Sequence, residues 1–132
     1  MKKISYKVQV IALVVWIVMV LCLFKFVPNK QVAGLFAGFG FLILPILLLV
    51  NEFKGEKSRL HMASLIIFLV FTALPILLVR VTTWGEDFST TDFYGVPSMF
   101  LHRLANFLYL GMVASAIYHW RRSVVVAANI EK

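Results

Sequence analysis

The stretch VAGLFAGFGFLILPILLLV, Val32 to Val50, decides the fold: nineteen residues pass without one charged side chain. At 1.5 Å of rise per residue, such a run matches the hydrocarbon thickness of a bilayer. Three further stretches qualify on the same ground: Val8–Val27, Leu60–Arg80 and Ser98–Trp120. Inside a bilayer the backbone must satisfy its own hydrogen bonds, and a chain this short cannot close a barrel. The expectation is therefore an all-α integral membrane protein, a single four-helix transmembrane domain over residues 1–132, running up-down-up-down.

Composition agrees. Of 132 residues, 61% are apolar and 14% charged, whereas a soluble domain is nearer half apolar and a quarter charged. This excludes a soluble enzyme, a nucleic-acid-binding domain and a disordered tail. The net charge of +7 reads as topology and attraction to anionic lipid headgroups rather than as a nucleic-acid surface. With both termini inside, Lys2, Lys3, Lys7, Lys54, Lys57, Arg59, Arg121, Arg122 and Lys132 lie on the cytoplasmic side, and only Lys25, Lys30, Arg80 and Arg103 outside. Nine against four favours that orientation, and the location expected is a bacterial inner membrane.

The first apolar run is long for a signal peptide, and no small-x-small cleavage site follows it. Leu21 precedes the single cysteine, Cys22, so lipoprotein processing is not expected. With one cysteine there is no intramolecular disulfide and no thiolate metal site.

Small residues suggest how the spans pack. Gly34 and Gly38 are four apart, with Ala33, Ala37 and Gly40 nearby, and Gly111 with Ser115 repeats the spacing in the fourth span. Such faces let helices approach closely in lipid. They are expected to act as packing interfaces, within the bundle or to another subunit. Spans two and three also share Ala-x-Leu and Leu-Pro-Ile-Leu-Leu at an offset of 30. Without a match between whole halves, this reads as coincidence. Pro45 and Pro75 should each kink a helix.

Polar residues within the spans are few. His102, Arg103, Asn106 and Tyr109 open the fourth span, with His102, Asn106 and Tyr109 spaced to share one face. Two readings stand: a buried network pinning the 81–97 loop, with Arg103 paired to Glu86, Asp87 or Asp92, or a small ligand site for an anion, a lipid headgroup or a quinone carbonyl. That loop, with Trp84, Phe88, Phe93 and Tyr94, is an interfacial segment on one reading and a docking surface or lid on the other. His61 and His119 fall near one membrane face and are weak candidates for ligating a b-type haem. The NEFKGEKSR segment, Asn51–Arg59, reads as a solvated turn.

The central part of every span lacks Asp, Glu, Lys and Arg, which argues against an ion-coupled carrier. No hydrolytic arrangement, phosphate loop or metal-ligand spacing occurs. The leading expectation is a non-enzymatic structural, assembly or regulatory subunit of a membrane complex. The alternatives are a homo-oligomeric channel or carrier, and a haem- or quinone-binding redox subunit. The partners expected are the lipid bilayer and other membrane subunits or further copies of the chain, with no nucleic acid.

Overall fold

A computed structural model describes residues 2–132. Four helices are long and apolar enough to cross a membrane: α1 (Tyr6–Phe26), α2 (Lys30–Glu52), α3 (Arg59–Thr82) and α4 (Ser98–Ile130). The first three start ahead of their sequence-derived limits by a turn or less because polar caps lie just outside the apolar runs. Ser5 accepts from Val8 N, Asn29 from Gln31 N and Val32 N, and Ser58 from His61 N, each capping a helix start.

The fourth helix departs further. It was expected to stop at Trp120 but continues to Ile130. Arg121 and Arg122 end the apolar run, yet Ser123–Ile130 contains neither glycine nor proline to end the helix.

The prolines also differ from one another. α2 stays α-helical through Pro45, whereas Pro75 follows a π-helical turn over Leu69–Ala73. Proline lacks an N–H and crowds the carbonyl four residues earlier, here within that turn. Leu74 N bonds Leu69 O instead, and Thr72 Oγ1 donates to Phe68 O at 2.7 Å.

α1 packs on α2 and α4, and α3 packs on the same two helices. The bundle is therefore a closed ring of four. Its interior is layered. Leu13, Leu65 and Met112 are fully buried, with Leu48 beside them. Next comes an aromatic layer in which Phe41 meets Trp16, Phe68 and Tyr109 at centroid distances of 5.9, 6.1 and 5.5 Å. Tyr109 also donates to Leu13 O at 2.5 Å, tying α4 to α1. In lipid such layers act through packing and hydrogen bonds rather than through water exclusion.

The glycines behave in three ways. Gly34 and Gly38 face α3, where a Cβ on Gly34 would overlap the Arg80 guanidinium and one on Gly38 would lie 3.1 Å from Leu77 Cδ1. Their small-residue face is thus used within the bundle. Gly40 makes room for the Trp16 indole. Gly111 is exposed and has nothing within 4 Å of a built Cβ, so it makes no close packing contact within the bundle.

Residues 83–97 are ordered by local polar contacts. A 3-10 turn spans Phe88–Thr90, and Asp92–Phe93 pairs antiparallel with Val96–Pro97. Tyr94 and Gly95, with φ of 48° and 86°, make the reversal between these strands. Thr91 and Ser98, both buried, join the segment to α4 through a 2.8 Å hydroxyl pair. Asp87 accepts from the backbone N–H and the hydroxyl of Ser89, which holds its carboxyl below the usual range.

Candidate functional site

Two polar regions lie at opposite ends of the bundle. The end that carries Lys3 and His119 holds a buried hydrogen-bond network contributed by all four helices. Gln9, Asn51, Glu52 and His61 are each at most 1% exposed. Asn51 and Glu52 form the last turn of α2 and are not the solvated turn expected from the sequence. Asn51 Oδ1 accepts from Ile4 N at 2.7 Å, and its amide donates to Ile4 O at 3.2 Å.

The Glu52 carboxylate is well matched. Oε2 accepts from Lys3 Nζ at 3.2 Å, Tyr6 OH at 3.1 Å and Ser58 N at 3.3 Å, while Oε1 accepts from Gln9 Nε2 at 3.4 Å. It also faces the start of α3, where the helix dipole favours an anion. For Lys3, burial works against the charged form. Its hydrogen bonds to Tyr6 and Glu52 and the attraction of Glu52 outweigh this and raise its pKa.

His61 is tied on both sides. Nε2 lies 2.8 Å from Gln9 Oε1, which can only accept, so Nε2 carries a proton. Nδ1 lies 2.7 Å from Ser115 Oγ. Ser115, expected as a packing residue, is instead a hydrogen-bonding one: it reaches Met112 O at 2.8 Å and Ser64 Oγ at 3.0 Å. His119 Nε2 meets Ser58 Oγ at 2.5 Å.

These contacts do not fit a haem. Both His61 ring nitrogens are engaged by protein groups, and the Tyr6 ring packs against both histidines, at 5.7 Å from His61 and 5.2 Å from His119. The place a porphyrin would need is filled by a phenol. Among the described residues no group of three or more His, Cys, Asp or Glu could hold a metal ion.

The opposite end holds a cavity of about 520 Å³, lined by residues of all four helices and Phe88. His102, Asn106 and Tyr109 line it as expected from their spacing, but Arg103 does not; Arg80 takes its place from α3. Arg103 points out and forms no ion pair, since Lys3–Glu52 is the only one among the described residues. The expected pairing of Arg103 with Glu86, Asp87 or Asp92 is therefore absent. Asp92 instead accepts from Gly95 N at 2.7 Å. The fourth-span constellation is not one buried network: Tyr109 is buried, while His102 and Asn106 are exposed.

Arg80 is placed by three features. Gly34 leaves space for the guanidinium against α2, the Phe88 ring stacks 4.2 Å from Arg80 Cζ, and the residue lies in the last turn of α3. A second recess of about 360 Å³, lined in part by Lys30, Trp84 and Glu86, shares Phe24, Arg80 and Phe88 with the larger cavity. Chemically, the cavity offers one cation, an imidazole and an amide above an apolar shaft floored by Phe41, Phe68 and Tyr109.

Sequence reasoning passed over Gln9, Asn51, Glu52 and Arg80. A glutamine early in an apolar helix, as Gln9 is, was the available signal. No known protein family, curated protein or solved structure matches this chain.

Proposed function

We propose that this protein is a non-enzymatic subunit of a membrane complex, with a structural, assembly or regulatory role, spanning a bacterial inner membrane four times with both termini in the cytoplasm. The observation that carries the reading is the extension of α4. Residues 121–130 are all exposed, and Val124, Val125, Val126 and Ile130 lie 50–79% open. They project beyond the end where nine of the thirteen basic residues gather. β-Branched valines are indifferent helix formers on their own, so a helix of this composition gains from a protein partner there.

The interior fits the same reading. The polar residues at the cytoplasmic end tie helices together, and the middle of the bundle is filled by Leu13, Leu65 and Met112. A single copy is thereby a poor conduit for ions, so the channel alternative requires the homo-oligomer in which it was framed.

The test is native mass spectrometry of the protein extracted from its own membrane in mild detergent. The expected result is a mixed complex that Val125→Asp weakens. A monomer with no co-extracted protein overturns the proposal, and a pure homo-oligomer transfers support to the channel or carrier reading.

A further inference from the structure

The cavity at the loop end carries an inference independent of the subunit reading. Arg80 combines three properties. It is partly buried, it lines a cavity of about 520 Å³, and among the described residues no hydrogen bond or ion pair engages its guanidinium. The guanidinium lies against Gly34 and 4.2 Å from the Phe88 ring. A cation held against an aromatic ring in a largely apolar surrounding gains from an anion placed beside it. The protein's own acids do not supply one. Glu86 and Asp87 line the neighbouring recess, but neither reaches Arg80 within ion-pair distance, and the Asp87 carboxylate accepts from Ser89.

The rest of the cavity indicates what is attached to that anion. Along α4 the lining runs from Met99 to Tyr109, a length of about 15 Å at helical rise. The shaft below Arg80 is apolar, with Ala37 and Gly38 on α2 leaving the space and an aromatic floor closing it. Its volume lies in the ~300–1,000 Å³ range of small-ligand sites. Leu21 on α1 and Met99, His102 and Asn106 on α4 line the cavity and are also exposed. The cavity therefore opens sideways between these two helices, toward the bilayer.

We infer that this cavity binds an anionic phospholipid, with its phosphate at Arg80 and one acyl chain in the shaft. His102 and Asn106 flank the path of the headgroup, and Phe88 from the loop covers the guanidinium. A diacylglycerol of the same chain length, which has no phosphate, would leave Arg80 without a matched charge. A free phosphate would leave the shaft unfilled.

The experiment is native mass spectrometry of the detergent-purified full chain titrated separately with dioleoyl phosphatidic acid, dioleoylglycerol and inorganic phosphate. The expected result is one tightly held phosphatidic acid, preferred over dioleoylglycerol by about tenfold or more, the size of one charge-assisted contact, with no phosphate adduct. Arg80→Gln should abolish the preference and Arg80→Lys should retain part of it. Arg103→Gln removes a cation of the same end of the bundle but outside the cavity and should leave the preference unchanged. Should Arg80→Gln fail to fold, Ala105→Phe keeps every charge and fills the shaft, and it should weaken binding of both lipids. Three results would overturn the assignment: equal loss of preference in the Arg80 and Arg103 variants, retention of the bound lipid in Ala105→Phe, or binding of phosphate alone. Preferential uptake of a neutral quinone over phosphatidic acid would do so as well.

Discussion

His61 offers the sharpest test of what holds the helices together. Its ring joins α3 to α1 through Gln9, at 2.8 Å, and to α4 through Ser115, at 2.7 Å, with no exposure to solvent. In His61→Leu both bonds vanish. Each is worth about 0.5–1.5 kcal/mol net, and inter-helix bonds in membranes fall toward the lower part of that range, ~0.6 kcal/mol on average. The larger consequence is Gln9 Oε1, left buried without a donor at a cost of about 1–3 kcal/mol. Ser115 is less affected because it also bonds Met112 O and Ser64. The expected destabilisation is about 2–4 kcal/mol. Gln9→Leu alone strands the imidazole Nε2–H in the same way. Removing both partners together removes the stranded groups, so the double variant should be about 1–2 kcal/mol more stable than the two single losses added together. Glu52 keeps Lys3, Tyr6 and Ser58 throughout, so its loss of the long 3.4 Å Gln9 contact changes this little. The assay is reversible unfolding in mixed micelles of rising SDS content, followed by circular dichroism. Additivity within about 0.5 kcal/mol would refute the reasoning; it would mean that the two side chains act separately and that the contact is incidental.

Two further outcomes follow from the glycines and from Lys3. Gly40→Ala should destabilise by about 1–3 kcal/mol through overlap with the Trp16 indole. Gly111→Ala, with open space at its Cβ, should be neutral or stabilise by up to about 1 kcal/mol. The same unfolding assay checks both, and equal effects would remove the distinction drawn between the two positions. The Lys3 pKa is raised, so its stabilising contribution is fully present below its ordinary value of 10.5 and is lost as pH climbs through the higher folded value. The melting-temperature gap between the protein and Lys3→Met should therefore hold steady from neutral pH up to 10.5 and narrow above it, and it should also narrow once acid protonates the Glu52 carboxylate; a gap that does not change with pH would contradict the pairing with Glu52.

The four helices were legible because a bilayer-length apolar run is a one-dimensional signal. Val32–Val50 announces itself without reference to any other segment. The α4 extension was not legible on that criterion, because hydropathy detects membrane crossing and Arg121 ends the crossing without ending the helix. The site was half legible for a related reason. Spacing along one helix correctly grouped His102, Asn106 and Tyr109, since positions three or four apart share a face. It could not supply Arg80, whose place depends on how α3 packs against Gly34 of α2 and on a π-helical turn upstream. Glu52 was misread for the same cause: beside Lys54 and Lys57 it resembles a solvated turn, and only the approach of Lys3, Tyr6 and Ser58 makes its burial tolerable.

The contrast between the two ends bears on where function resides. At the end with Glu52 and His61, cross-links between different helices or their flanking segments engage the buried polar groups, among them Lys3–Glu52, Tyr6–Glu52, Gln9–Glu52, Gln9–His61, His61–Ser115 and Asn51–Ile4. A network in which each member holds its neighbours resists rearrangement, because moving one strands another. At the other end the arginine lacks a polar partner and the helices part around a cavity. Closing that space would need little more than a larger residue at Ala105, and it would bring the helices no new polar satisfaction. The buried polar ties therefore belong to the first end and the proposed lipid recognition to the second. A substitution in the cavity should change what the protein binds before it changes whether it folds, whereas one in the network should do the reverse.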